Sequence, residues 1–171
     1  LSVAQEQDSK IEYPMLKTSF TPVISARSAI VMDFESGVVL YEKNPTLRLS
    51  SASTTKIMTA LVALEYFKPD DILVVKKEAW EGSTLGLKTG QRFTFENLLY
   101  ALLLPSTNDT ALTIATNFEG GETGFIEKMN ESARNLNLYN THFDDASGLL
   151  DDGDYTNALD LARLTSIALK N

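Results

Sequence analysis

A hydroxyl and an amine three positions apart, in Ser53-Thr54-Thr55-Lys56, carry the strongest chemical signal in this sequence. Three residues is nearly one helical turn, so Ser53 and Lys56 share a face and can meet. Free serine is a weak nucleophile. A partly desolvated, neutral amine beside it can take its proton, and a helix N-terminus turns backbone N–H groups toward developing negative charge. The plainer alternative makes Ser53 a helix cap and Lys56 a solvated charge. A second polar group, Pro105-Ser106-Thr107-Asn108, interrupts two apolar helical segments. Buried polar side chains are costly unless paired, so Ser106 and Asn108 either find partners on the Ser53 and Lys56 face or cap the helix beginning near Asp109.

The elements that must position these groups follow from periodicity. Residues 1–27 hold Pro14 and Pro22 and no sustained period, and read as an arm or lead-in to a unit spanning 28–171. Residues 29–34 and 38–43 are β-prone runs joined by Glu35-Ser36-Gly37, a hairpin with glycine where positive φ is wanted. Residues 54–67 place Ile57, Met58, Leu61, Val62 and Leu64 at helical spacing, and 72–75 is a short extended piece. After a loop with Gly82, Gly86 and Gly90, Thr94 can cap a helix over 95–104 that is apolar nearly all round and therefore expected to be buried. Further helices are expected over 109–118, after Gly120-Gly121 with Phe125, Met129, Ala133 and Leu136 as one stripe, and after Thr156 as cap. About five helices stand against one clear hairpin.

The 171 residues fit one domain, and 43% apolar with 22% charged residues suffices for a buried core. Fifteen Lys and Arg against 23 Asp and Glu give a net charge of -8, the wrong sign for a nucleic-acid partner. The absence of cysteine removes disulfides, thiolate nucleophiles and Cys-ligated metal sites. No apolar run has the length of a membrane span. Ser2-Val3-Ala4 before Gln5 has the small-x-small pattern of a signal-peptidase site, which an arbitrary chain start explains equally. His142, the sole histidine, reads as a turn or packing residue. Asp144, Asp145, Asp151, Asp152 and Asp154 fail the EF-hand spacing and read as a solvated acidic loop. Gly120-Gly121-x-x-Gly124 lacks the Gly-Lys-Ser/Thr of a P-loop. Trp80 reads as core.

Ser-x-x-Lys in S-S-A-S-T-T-K-I-M-T-A-L, followed by L-L-L-P-S-T-N-D-T-A, resembles the serine D-alanyl-D-alanine carboxypeptidases, the low-molecular-mass penicillin-binding proteins. The hairpin A-I-V-M-D-F-E-S-G-V-V-L-Y-E-K-N, the segment T-H-F-D-D-A-S-G-L-L and the segment Y-T-N-A-L-D-L-A-R-L match in the same order, so the likeness covers roughly residues 20–170. The resemblance implies an α/β fold of the serine β-lactamase/transpeptidase-like type. It implies that Ser53 attacks the bond between two D-alanines of a peptidoglycan stem peptide, Lys56 takes its proton, Ser106 relays a proton to the leaving amine, and Asn108 holds Lys56 and the substrate amide. The Ser53 backbone N–H would form half of an oxyanion hole, and β-lactams would acylate the same serine. No cofactor or metal is implied. The place of action would be extracytoplasmic, with an anchor on another segment an open option.

The resemblance also sets an expectation about extent. The family's third motif, Lys-Thr-Gly, follows Ser-x-Asn on a strand; here Lys88-Thr89-Gly90 spells those letters but precedes Ser106, and is taken as coincidence. The chain is therefore expected to hold the N-terminal hairpin and helical region of a longer polypeptide, the remaining sheet strands coming from a further C-terminal segment or a complementing chain. Rival readings are a β-lactamase or related serine esterase on this fold, and a non-catalytic cell-wall interaction module.

Overall fold

The computed structural model describes residues 14–15, 21–149 and 153–170. The expected hairpin forms: β1 (Ala29–Met32) pairs antiparallel with β2 (Val39–Lys43), Ala29 opposite Lys43 and Val31 opposite Tyr41, with an irregularity at Val31/Met32. Its turn is fixed by Asp33, whose carboxylate accepts from the Ser36 amide at 2.8 Å while its carbonyl accepts from the Gly37 amide at 2.9 Å. Gly37 there has φ +71°, a conformation that Cβ-bearing residues disfavour. Of the lead-in, residues 21–27 carry no regular element and are tied to the hairpin by the Lys43 ammonium, which donates to the Ile24 carbonyl at 2.8 Å.

A single 3-10 turn (Ala52–Thr54) leads directly into α1 (Thr55–Tyr66). This helix is the hub, packed against four others: α2 (Phe95–Leu103), α3 (Asn108–Asn117), α4 (Gly121–Asn135) and α5 (Ala158–Ala168). Met58, Val62 and Ala63 of α1 meet Leu98 and Leu102 of α2, Ile114 of α3, Phe125 and Met129 of α4 and Leu164 of α5 in one core. Burying such side chains at about 25 cal/mol per Å² is the main stabilising contribution here. Residues 72–75 become β3 (Ile72–Val74), and its partner β4 (Arg92–Thr94) is a strand the periodicity did not reveal. Asn117 at the end of α3 joins this small sheet to the helices, donating to the Val74 carbonyl at 2.8 Å.

The structure corrects three expectations. Trp80 is not core: 72% of its surface is exposed, and the Lys88 ammonium lies 4.2 Å from the ring centroid. The apolar run of 95–104 is buried only along Phe95, Leu98 and Leu102, which share one face of α2 turned to the core, whereas Leu103 and Leu104 face outward. The cap of α5 is Asn157, whose side chain accepts from the Asp160 amide at 2.7 Å, while Thr156 bridges in the extended conformation to Leu49. Thr94 caps α2 as expected, accepting from the Asn97 amide.

Candidate active site

The 3-10 turn at the head of α1 presents Ser53 to solvent, while Lys56, one turn on, is only 2% exposed. Lys56 Nζ lies 3.2 Å from Ser53 Oγ and donates to the Ser147 carbonyl at 2.9 Å. Burial holds the Lys56 ammonium below the usual lysine range, and the nearby Asp145 carboxylate pulls the other way. The pair is thus an exposed hydroxyl backed by a sequestered amine of weakened affinity for its proton, the arrangement a serine nucleophile requires.

The segment 146–148 lies along one face of α1 and the turn before it. The Ala146 carbonyl accepts from Thr59 Oγ1 at 2.7 Å, the Ser147 carbonyl accepts from Lys56, and Gly148 packs on the Ala52 carbonyl. Positions 59, 56 and 52 recur at helical spacing, so three consecutive loop residues dock on three successive turns. Asp145 folds this loop: its Oδ1 accepts from the Ser147 amide at 2.5 Å, the Ser147 hydroxyl at 2.7 Å and the Gly148 amide at 2.7 Å. Sequence reasoning did not give the loop a part in the site. The small-residue pair Ser147-Gly148 after two aspartates was its only local signal.

Ser106 and Asn108 occupy the turn between α2 and α3. Ser106 is half-buried and holds φ +59°, a left-handed conformation rare outside glycine that costs on the order of 1–3 kcal/mol. Asn108 opens α3; its amide nitrogen donates to the Ser83 carbonyl at 2.7 Å and its Nδ2 to the Glu81 carbonyl at 3.0 Å. Among the described residues, neither hydrogen-bonds Ser53 or Lys56. The expected contact of Asn108 with Lys56 is replaced by these bonds because the 81–87 loop presses on the start of α3. A Cβ on Gly82 would come within 2.5 Å of Asn108 Nδ2, and Asp109 Oδ2 accepts from the Leu85 and Leu87 amides. Asn108 lines, with Asp145, Ser147, Trp80 and Leu149, a cavity of about 400 Å³ beside the loop that receives Lys56.

The remaining candidates are accounted for by ordinary contacts. Lys88-Thr89-Gly90 forms a turn before β4, with the Lys88 ammonium and the Thr89 amide both on the Glu78 carboxylate. His142 stacks on Tyr155 and pairs with Asp144 at 2.9 Å. The expected solvated acidic loop is corrected: Asp145 and Asp154 are buried, Asp154 accepting the Asp144 amide and Asp145 holding residues 147–148, because this loop is packed against α1; Asp151 and Asp152 lie outside the described residues. No group of three His, Cys, Asp or Glu with metal-binding geometry occurs among the described residues.

Fold and site together define a serine transpeptidase-like α/β protein, and comparison with known proteins gives the family. The family described as D-alanyl-D-alanine carboxypeptidase matches residues 15–171, and the chain belongs to it. The carboxypeptidase DacF of Bacillus subtilis is 35% identical over 152 residues, 85% of this chain and 39% of that protein. Among solved structures, penicillin binding protein 6B from Escherichia coli superposes with a TM-score of 0.84 at 31% identity, covering 93% of this chain and 54% of that one. DacD from Francisella tularensis gives 0.86 at 27% identity, covering 98% and 42%. The chain thus spans about two fifths of the length of the curated relatives it matches.

Proposed function

We propose that this chain carries the nucleophile-bearing part of a serine D-alanyl-D-alanine carboxypeptidase acting on peptidoglycan stem peptides. The carrying observation is the buried Lys56 amine 3.2 Å from the exposed Ser53 hydroxyl. As a neutral amine, Lys56 donates one N–H to the Ser147 carbonyl and keeps its lone pair for the Ser53 proton. Ser53 Oγ then bonds to the carbonyl carbon between the two D-alanines. The C–N bond breaks, the departing amine receives a proton by way of Lys56 and Ser106, and an ester remains on Ser53. Water cleaves that ester, returning the proton to Ser53 and freeing the shortened peptide. The Ser53 backbone N–H supplies one oxyanion donor, where such a donor contributes roughly 3–4 kcal/mol. Asn108, two residues after Ser106 at the start of α3, binds the substrate amide.

Peptidoglycan lies outside the cytoplasmic membrane, so the enzyme acts there, which a reporter active only after export checks when fused to the protein. The chemistry is tested by intact-mass analysis after exposure to benzylpenicillin. One adduct is expected on Ser53 and none in Ser53→Ala; an unmodified wild type would exclude the reading.

A further inference from the structure

We propose that Asp145 is the positioning residue of the Ser53 and Lys56 pair, its carboxylate folding residues 145–148 so that the Ser147 carbonyl meets the Lys56 amine and fixes where its lone pair points. The inference rests on the reading of Ser53 as nucleophile and extends it to a residue that touches neither substrate nor Ser53.

The geometry is specific. A single oxygen, Asp145 Oδ1, gathers the Ser147 amide, the Ser147 hydroxyl and the Gly148 amide at 2.5–2.7 Å. That turns the Ser147 carbonyl outward onto Lys56 Nζ, and Gly148 back against the Ala52 carbonyl one residue before Ser53. Both partners of the nucleophilic pair are therefore referenced to one carboxylate. An amine can rotate about its last bond; a carbonyl held at 2.9 Å selects the rotamer that leaves the lone pair for the hydroxyl.

The charge has a second effect. Asp145 is buried beside Lys56 and favours its ammonium, opposing the burial that favours the neutral amine. Of the other described carboxylates nearby, Asp144 pairs with His142, Asp154 accepts from the Asp144 amide, and Asp109 of α3 is turned to the Leu85 and Leu87 amides. Among the described residues, Asp145 is the carboxylate whose field raises the Lys56 affinity for its proton.

Asparagine separates the two effects, because its Oδ1 accepts the same three bonds without the charge. The experiment follows the rate of labelling by a fluorescent penicillin from pH 5 to 10 in wild type, Asp145→Ala and Asp145→Asn, with circular dichroism as the folding check. Asp145→Ala is expected to slow labelling about 10–100-fold above the acid limb, as a misplacement of about 1 Å does, and to lower the limb as well, since it also removes the charge. Asp145→Asn recovers most of that loss and moves the acid limb of the rate down by about one pH unit. Wild-type rates and limb in both variants would overturn the proposal, as would an Asp145→Asn protein as slow as Asp145→Ala with an unmoved limb. If Asp145→Ala does not fold, the Asp145→Asn limb decides alone. A wild type that takes no label refutes the nucleophile reading instead. In that case the Lys56 side-chain carbons, titrated by NMR, decide on Asp145: a fall in the Asp145→Asn protein supports it and an unchanged midpoint refutes it.

Discussion

A methyl group on Gly148 would sit 1.8 Å from the carbonyl oxygen of Ala52, closer than any two non-bonded heavy atoms can approach. The loop behind the lysine and the turn bearing the serine are thus in backbone contact, with no side chain between them.

Gly148→Ala should therefore destabilise the fold by at least about 2 kcal/mol, combining the strain of a left-handed alanine with a clash against rigid backbone. Gly86 is the control: its φ of +74° matches the +75° of Gly148, but nothing lies within 4 Å of its would-be Cβ. Gly86→Ala should cost about 1 kcal/mol. Urea unfolding of the two variants measures the difference, and equal losses would mean that the contact with Ala52 has no weight.

Lys56→Met removes the amine that the Ser147 carbonyl and the buried Asp145 carboxylate face. Penicillin labelling should fall by about 10²-fold or more. Stability should fall too, by roughly 1–3 kcal/mol in urea unfolding, because a buried carbonyl loses its donor and a buried carboxylate its neighbour.

The pH dependence of labelling should show an acid limb set by Lys56, with a midpoint below the ordinary lysine value of 10.5. Below that midpoint the amine holds its proton and cannot accept another, so the rate drops tenfold per pH unit. Stability moves in the same sense. Between the folded midpoint and 10.5 the unfolded chain binds a proton that the folded chain does not, so stability rises with pH across that window.

Asp154 carries the opposite signature. Its carboxyl is 3% exposed, its Oδ2 has no hydrogen-bond partner among the described residues, and burial pushes it up from 3.8 to about 6. Between those values the folded protein keeps a proton that the unfolded chain has lost, so stability falls as pH rises through the window and stays lower above it. Asp154→Asn keeps an oxygen for the Asp144 amide and removes the buried charge. It should gain roughly 1–3 kcal/mol at pH 8 and little at pH 4, as read by denaturant unfolding at the two pH values.

The legible parts of this protein were those governed by local spacing. The 3.6-residue period located α1 through α5 within a residue or two, and the Ser53 and Lys56 contact follows from their sharing a helix face. What escaped was set by tertiary contact. β4 is three residues long, too short to show alternation, and exists because Ile72–Val74 needs a partner. Trp80 looked like core because aromatic residues usually are, yet it sits on a loop whose neighbours are charged. The resemblance implies a contact of Asn108 with Lys56, whereas the bonds it makes to Glu81 and Ser83 depend on a loop whose packing no local spacing encodes.

The docking of 146–148 on α1 bears on when the protein acquires its reactivity. Lys56 and the carbonyl that receives it are 91 residues apart, so the contact forms only after most of the described chain has been synthesised. Before then, a nascent α1 displays an ordinary hydrated ammonium next to an inert hydroxyl. On the proposed reading of Ser53 as nucleophile, reactivity toward acyl donors is therefore acquired late in folding, with the arrival of the loop.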